Sequence, residues 1–106
     1  MNRDLDAEIV EKIFGWQPIP VSPDANGENS CEILYPPNKK PDQDFYNTLP
    51  HVGKIHRGWN APRYSSDLAT AINLCKHVKI PLHVINMSLN PETLAKDALT
   101  WWLDQN

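Results

Sequence analysis

The chain has 106 residues, 41% of them hydrophobic and 22% charged, with a formal net charge of -3. That is the size of one domain, long enough to bury a modest core without disulfides or metal, and its charge offers no global attraction to duplex nucleic acid or an anionic membrane. No apolar run approaches the roughly 18 residues needed to span a bilayer, and the start, Met1-Asn2-Arg3-Asp4-Leu5-Asp6, is acidic rather than apolar, so the expectation is no signal peptide and a cytoplasmic location.

Residues 3 to 16 read as an amphipathic helix with its body at about 4–15. Leu5, Ile9, Val10, Ile13 and Phe14 form an apolar stripe, and Asp4, Glu8, Glu11 and Lys12 take the other faces. Acidic residues crowd the first turns, where the helix dipole favours them. Gly15 is placed to end the helix in a left-handed turn, and Trp16 to fold back as a core aromatic.

Residues 17 to 63 hold eight of the ten prolines, which exclude long helices. Asn26-Gly27 is a turn signal. Cys31-Glu32-Ile33-Leu34-Tyr35 predicts a short strand that ends, or lies at an edge, where Pro36 follows. A weaker strand is expected around Val52 to Ile55. A segment this long without strong structure is often functional; a meander of short strands is the other reading.

Residues 64 to 106 are more regular. Pro62 stops what precedes. Ser65 and Ser66 are candidate caps, and Asp67 puts negative charge in the first turn of a helix over about 66–78. Leu68, Ala71, Ile72 and Cys75 are its expected apolar positions. Ile80 to Met87 reads as a strand, with 82–87 in the sheet. Asn90 caps and Pro91 opens a last helix over about 91–104, with Leu94, Ala95, Ala98, Leu99 and Trp102 on its buried stripe and Trp101 at the boundary. The expected whole is one α+β domain spanning 1–106, about three helices packed on a small sheet, with a long Pro-rich connection.

Three stretches carry a family resemblance. They are Glu11-Lys12-Ile13-Phe14-Gly15-Trp16, Pro62-Arg63-Tyr64-Ser65-Ser66-Asp67-Leu68-Ala69-Thr70-Ala71, and Glu92-Thr93-Leu94-Ala95-Lys96-Asp97-Ala98-Leu99. Their order resembles the phage ABA sandwich domain proteins, small proteins of bacteriophages and prophages. The resemblance covers about the first 16 and the last 45 residues. It departs from the family pattern at Ser66, where threonine is usual, in the length of the middle segment, and at Trp101-Trp102, where small residues are commoner. It implies an α/β/α sandwich-like fold and a phage or prophage origin. It implies no common activity, so no catalytic residue carries over.

The chemistry-bearing residues form no catalytic pattern. His51, His56, Cys75, His77 and His83 lack the tight spacing of a zinc site. Cys75 falls on an apolar helical stripe, and with Cys31 is expected to be free and buried. Ser65, Ser66 and Asp67 are explained by capping. Asp42 and Asp44 lack the glycine and terminal glutamate of a calcium loop, and the four glycines are too scattered for a phosphate loop. No catalytic residue, metal or cofactor is expected, and the chain is read as non-enzymatic.

One segment stands out. Between residues 38 and 63, Lys39, Lys40, Lys54, Arg57 and Arg63 outnumber Asp42 and Asp44, with Tyr46, His51, His56 and Trp59 interleaved. A basic, aromatic segment on an acidic body can bind an anionic partner by ion pairing and stacking. It can equally dock on the acidic first helix of its own chain. Lys54, Arg57, Trp59 and Arg63 are the candidate partner-binding residues, with Trp59 as apolar anchor or else as a core residue. The expected function is a small phage or prophage accessory protein that binds and modulates a bacterial host factor, for example a defence or regulatory protein with an acidic face. The alternative is a binder of an anionic small molecule such as a nucleotide, either as a single chain or as an oligomer with sites between subunits.

Overall fold

The computed structural model describes residues 2–22, 30–50, 54–81 and 90–105. Their elements follow in the order α1 (Arg3–Lys12), β1 (Gln17–Val21), β2 (Cys31–Tyr35), α2 (Gln43–Asn47), α3 (Leu68–Val78) and α4 (Pro91–Gln105). This is a small α+β domain. It has one more helix than expected, because the short α2 forms inside the proline-rich zone. Asp42 caps α2 by accepting from the Phe45 N–H at 2.9 Å. No helix among the described residues is long and apolar enough to cross a membrane. The expected turn at Asn26-Gly27 and the strand over 82–87 lie outside the described residues. Of the weaker strand around Val52 to Ile55, Lys54 and Ile55 are irregular and the rest lies outside.

β1 lies in the proline-rich zone, where short strands were the other reading, and carries Pro18 and Pro20. It pairs antiparallel with β2, Pro18 opposite Leu34 and Pro20 opposite Glu32. The Leu34 N–H turns away from β1 and donates to the Arg57 carbonyl at 2.9 Å. Opposed residues in such a ladder alternate between bonded and non-bonded pairs. Both prolines therefore occupy non-bonded positions, where the missing N–H would have pointed outward, and the ladder loses nothing.

Each helix is fixed by its ends. Asn2 caps α1 by accepting from the Leu5 N–H at 3.0 Å. α1 stops at Lys12, earlier than the expected 15, and Gly15 takes a left-handed φ of 70°. Trp16 then folds back, its N–H bonded to the Val10 carbonyl at 3.0 Å, and packs half-buried on the core. α3 begins at Leu68 rather than 66. Asp67, expected in the first turn, is itself the cap and accepts from the Thr70 N–H at 3.2 Å. Asn90 caps α4 by accepting from the Thr93 N–H at 3.1 Å. α3 ends on Lys79, a non-glycine residue with φ 58°, whose N–H reaches the Cys75 and Lys76 carbonyls.

Two apolar clusters form on opposite faces of β2, since neighbouring strand residues point to opposite sides. Leu34 joins the larger one, built from α1 (Leu5, Ala7, Ile9, Val10), α3 (Ala71, Leu74, Cys75, Val78) and α4 (Leu94, Ala95, Ala98, Leu99). Ile33 joins the smaller one, with Val21, Leu49 and Ile55 buried and Ile19, Cys31, Phe45 and Trp59 packed against it. The expected stripe of α3 is displaced: Leu74 and Val78 are buried where Ile72 was expected, and Ile72 is 38% exposed. Trp102 is not the interior residue expected. It and Trp101 are both half-buried against the larger cluster, and the Trp101 indole N–H is anchored on the Val78 carbonyl at 3.2 Å. Both cysteines are free; Cys75 is buried and Cys31, against expectation, only half-buried.

Candidate functional site

The residues from 54 to 67 form an irregular segment that crosses α1, and α1 holds it at many points. The Arg3 guanidinium donates through Nη2 to the carbonyls of Gly58, Trp59 (3.0 Å) and Ala61 (2.9 Å). Its Nη1 bonds the carboxylate of Asp6 at 2.8 Å. Asp6 is fully buried and its other oxygen accepts from the Ser65 N–H at 2.8 Å. A buried carboxylate is tolerated only when paired and hydrogen-bonded, and here both partners also tie the segment to the helix. The Ser65 hydroxyl accepts from the Asn2 N–H and donates to the Asn2 carbonyl, each at 3.0 Å. Ser65 thus stitches the segment to the start of α1 instead of capping α3, as was expected, and Ser66 is exposed.

His56 and Gly58 complete the docking. The Gly58 N–H donates to His56 Nδ1 at 2.9 Å, so the proton of the neutral ring sits on Nε2 and is donated to Asp4 at 2.7 Å. With both ring nitrogens engaged, His56 is held in one orientation. A Cβ on Gly58 would lie 2.8 Å from the Arg3 carbonyl oxygen and 2.9 Å from Ala7 Cβ. Only glycine allows the segment to lie this close to α1.

The four candidate residues divide. Arg57 is half-exposed and reaches Glu11 of α1 at 3.4 Å. Trp59 is half-buried in the smaller cluster, its ring edge-on to Phe45 at 6.2 Å; Phe45 in turn meets Tyr35 at 4.9 Å. These two residues brace the segment against its own chain. Lys54 and Arg63 are exposed, and neither has an ion-pair partner among the described residues. Lys39 and Lys40 are exposed in the same way.

Asn2, Arg3, Asp6 and Gly58 were not singled out by the sequence reading, although they fix the site. The contacts by which they join α1 to the segment span more than fifty residues, and the only one of their pairings that sequence spacing marks on a helix is Arg3–Asp6, three apart. The other available signal was Gly58 beside Trp59 in an irregular stretch.

Burial, with the Asp6 carboxylate adding to it, pushes the Tyr64 hydroxyl up to about 12. Burial likewise raises the Cys75 thiol, with Asp97 contributing and a backbone hydrogen bond opposing. A reactive thiol needs the reverse. Hydrogen bonds from Lys96 and Asn2 hold the Glu92 carboxyl below its usual range. Among the described residues no three His, Cys, Asp or Glu side chains gather as a metal site; His51 and His83 lie outside them.

In comparison with known proteins, the chain matches no family model, no curated protein and no solved structure.

Proposed function

We propose that this is a non-enzymatic binding protein whose braced 54–67 segment meets an acidic face of a partner protein. The observation that carries the reading is the division among the segment's charges. Arg57 and His56 are engaged with α1, while Lys54 and Arg63 stand exposed without a partner among the described residues. A segment already held in place loses little conformational entropy on binding, so its free cations add affinity without an ordering cost. A bacterial host protein is the partner class that the resemblance to phage ABA sandwich proteins favours, and modulation of that host factor is the proposed role.

The test compares the parent with Lys54→Ala/Arg63→Ala, each immobilised and exposed to bacterial lysate. Both positions are exposed, so the variant should melt within about 0.5 kcal/mol of the parent. A protein retained by the parent at low salt should be lost by the variant, with slower association and a weaker salt dependence when the pair is purified. Identical retention by the two proteins would refute the reading.

A further inference from the structure

The ribbon of β1 and β2 has two edges, and they differ. On the β2 side the outward Leu34 N–H is taken by the Arg57 carbonyl at 2.9 Å, so the 54–67 segment covers that edge at Leu34. β1 has β2 as its one strand neighbour among the described residues, and Gln17, Pro18 and Pro20 are exposed. An open strand edge is a template for another strand, and charged side chains are a common guard against such pairing. Gln17-Pro18-Ile19-Pro20-Val21 carries no charge.

The backbone of β1 supplies a different guard. Gln17, Ile19 and Val21 sit at bonded positions opposite Tyr35, Ile33 and Cys31, so their N–H and C=O groups turn to β2. At the positions between them the backbone polar groups turn outward, and both of those residues are prolines. The outer edge from 17 to 21 therefore shows the carbonyls of Pro18 and Pro20 and no N–H. In a second copy of β1 laid antiparallel along this edge and centred on Ile19, residue 18 of each strand faces residue 20 of the other. Each of these two pairs would exchange two N–H···O bonds, and every donor they need is a proline nitrogen. The pairing forms no backbone bond, sets carbonyl against carbonyl, and takes those carbonyls out of water at a cost. Sliding the strands does not help, because neither edge has a donor within 17–21. We infer that the outer edge of β1 is a self-pairing surface for a second copy of this chain, held shut by Pro18 and Pro20. The proposed partner contact lies on the 54–67 segment and uses neither proline, so the two readings stand or fall separately.

The experiment restores the donors. Pro18→Thr/Pro20→Thr places a residue that favours strands at both positions, and circular dichroism checks that the fold is kept. Each restored bond contributes roughly a factor of two to ten. Sedimentation over a concentration series should therefore show the variant self-associating with a dissociation constant at least about tenfold below the parent's. Pro18→Lys/Pro20→Lys restores the same donors but sets like charges opposite one another across the pair. At low salt it should associate at least about fivefold more weakly than the threonine variant. Amide exchange gives a reading that needs no dimer. In the parent the Ile19 and Val21 amides should be protected, and in dilute Pro20→Thr the new amide at 20 should exchange as fast as an exposed one. A folded threonine variant that associates no more than the parent would overturn the inference. So would equal association of the threonine and lysine variants at low salt, a protected amide at 20 in dilute protein, or unprotected Ile19 and Val21 amides in the parent.

Discussion

Replacing Gly58 by alanine tests whether the 54–67 segment is held by its fit against α1. The new methyl would meet the Arg3 carbonyl oxygen at 2.8 Å, Ala7 Cβ at 2.9 Å and the Ala7 nitrogen at 3.3 Å. Two of those atoms are backbone of a hydrogen-bonded helix and cannot swing aside, so the segment must move. Overpacking of this kind costs about 1–3 kcal/mol. Displacement also weakens the bonds from the charged Arg3 to the carbonyls of Gly58, Trp59 and Ala61; hydrogen bonds to charged groups contribute roughly 1.5–3 kcal/mol. Alanine lowers the entropy of the unfolded chain and so returns about 0.4–1 kcal/mol. The net expectation is a loss of ~3 kcal/mol. At about 2.1 cal/mol/K per residue over 106 residues, this lowers Tm by ~13 °C. Gly15→Ala is the matched control, because φ there is 70° but nothing lies within 4 Å of the added carbon; its cost is left-handed strain alone, about 1 kcal/mol. Urea melts followed by circular dichroism give both values. If Gly58→Ala loses no more than Gly15→Ala, the close approach does not hold the segment and the reasoning fails.

Other parts of the fold give three further expected outcomes. The folded Tyr64 hydroxyl is raised to about 12 while the unfolded one titrates near 10, so between these pH values the unfolded chain alone releases the proton and stability falls as pH rises, by up to about 3 kcal/mol; melts at pH 9, 10 and 11 of the parent and Tyr64→Phe should diverge, and parallel curves would contradict this. Lys79 closes α3 at φ 58° with a side chain, so Lys79→Gly should raise stability by about 0.5–1 kcal/mol in a urea melt, where a loss would show that the lysine side chain contributes more than the strain. Trp101 and Trp102 are both half-buried, and Trp101 also donates to Val78; alanine at either should cost less than the ~3–5 kcal/mol of a fully buried tryptophan, with Trp101 the dearer of the two.

What was legible in the sequence was whatever neighbours along the chain decide. Asn90-Pro91 marked the start of α4, Gly15 marked the left-handed turn after α1, and the apolar pattern of Cys31–Tyr35 marked β2. The errors arose where a residue's role is set from a distance. Ser65 has the chemistry of a cap, yet its hydroxyl goes to Asn2, sixty-three positions away. Asp67 then takes the cap itself and α3 starts later. Ile72 satisfied helical spacing as well as Leu74 did; the position of α4 decided which was covered. Strand β1 was not assigned, because whether Pro18 and Pro20 fit a ladder depends on where Leu34 points. In the candidate segment the basic residues were visible, and which of them α1 would engage was not.

The adjacent residues Ile33 and Leu34 face the two clusters from opposite sides of β2. Ile33 is fully buried in the cluster that holds Trp59, and Leu34 is 2% exposed in the cluster built by α1, α3 and α4. A two-stranded sheet is marginal by itself, so β2 persists because both of its faces are covered. The 54–67 segment supplies part of each cover: Ile55 and Trp59 pack on the Ile33 side, and Ala61 and Tyr64 on the Leu34 side. The Leu34 N–H bond to the Arg57 carbonyl joins the segment to the strand between them. Releasing the segment would therefore uncover both clusters at once. The surface that carries Lys54 and Arg63 is as stable as the domain beneath it. A partner that binds there meets a preformed surface, and its affinity should respond to the exposed charges and hardly at all to substitutions that stiffen the chain further.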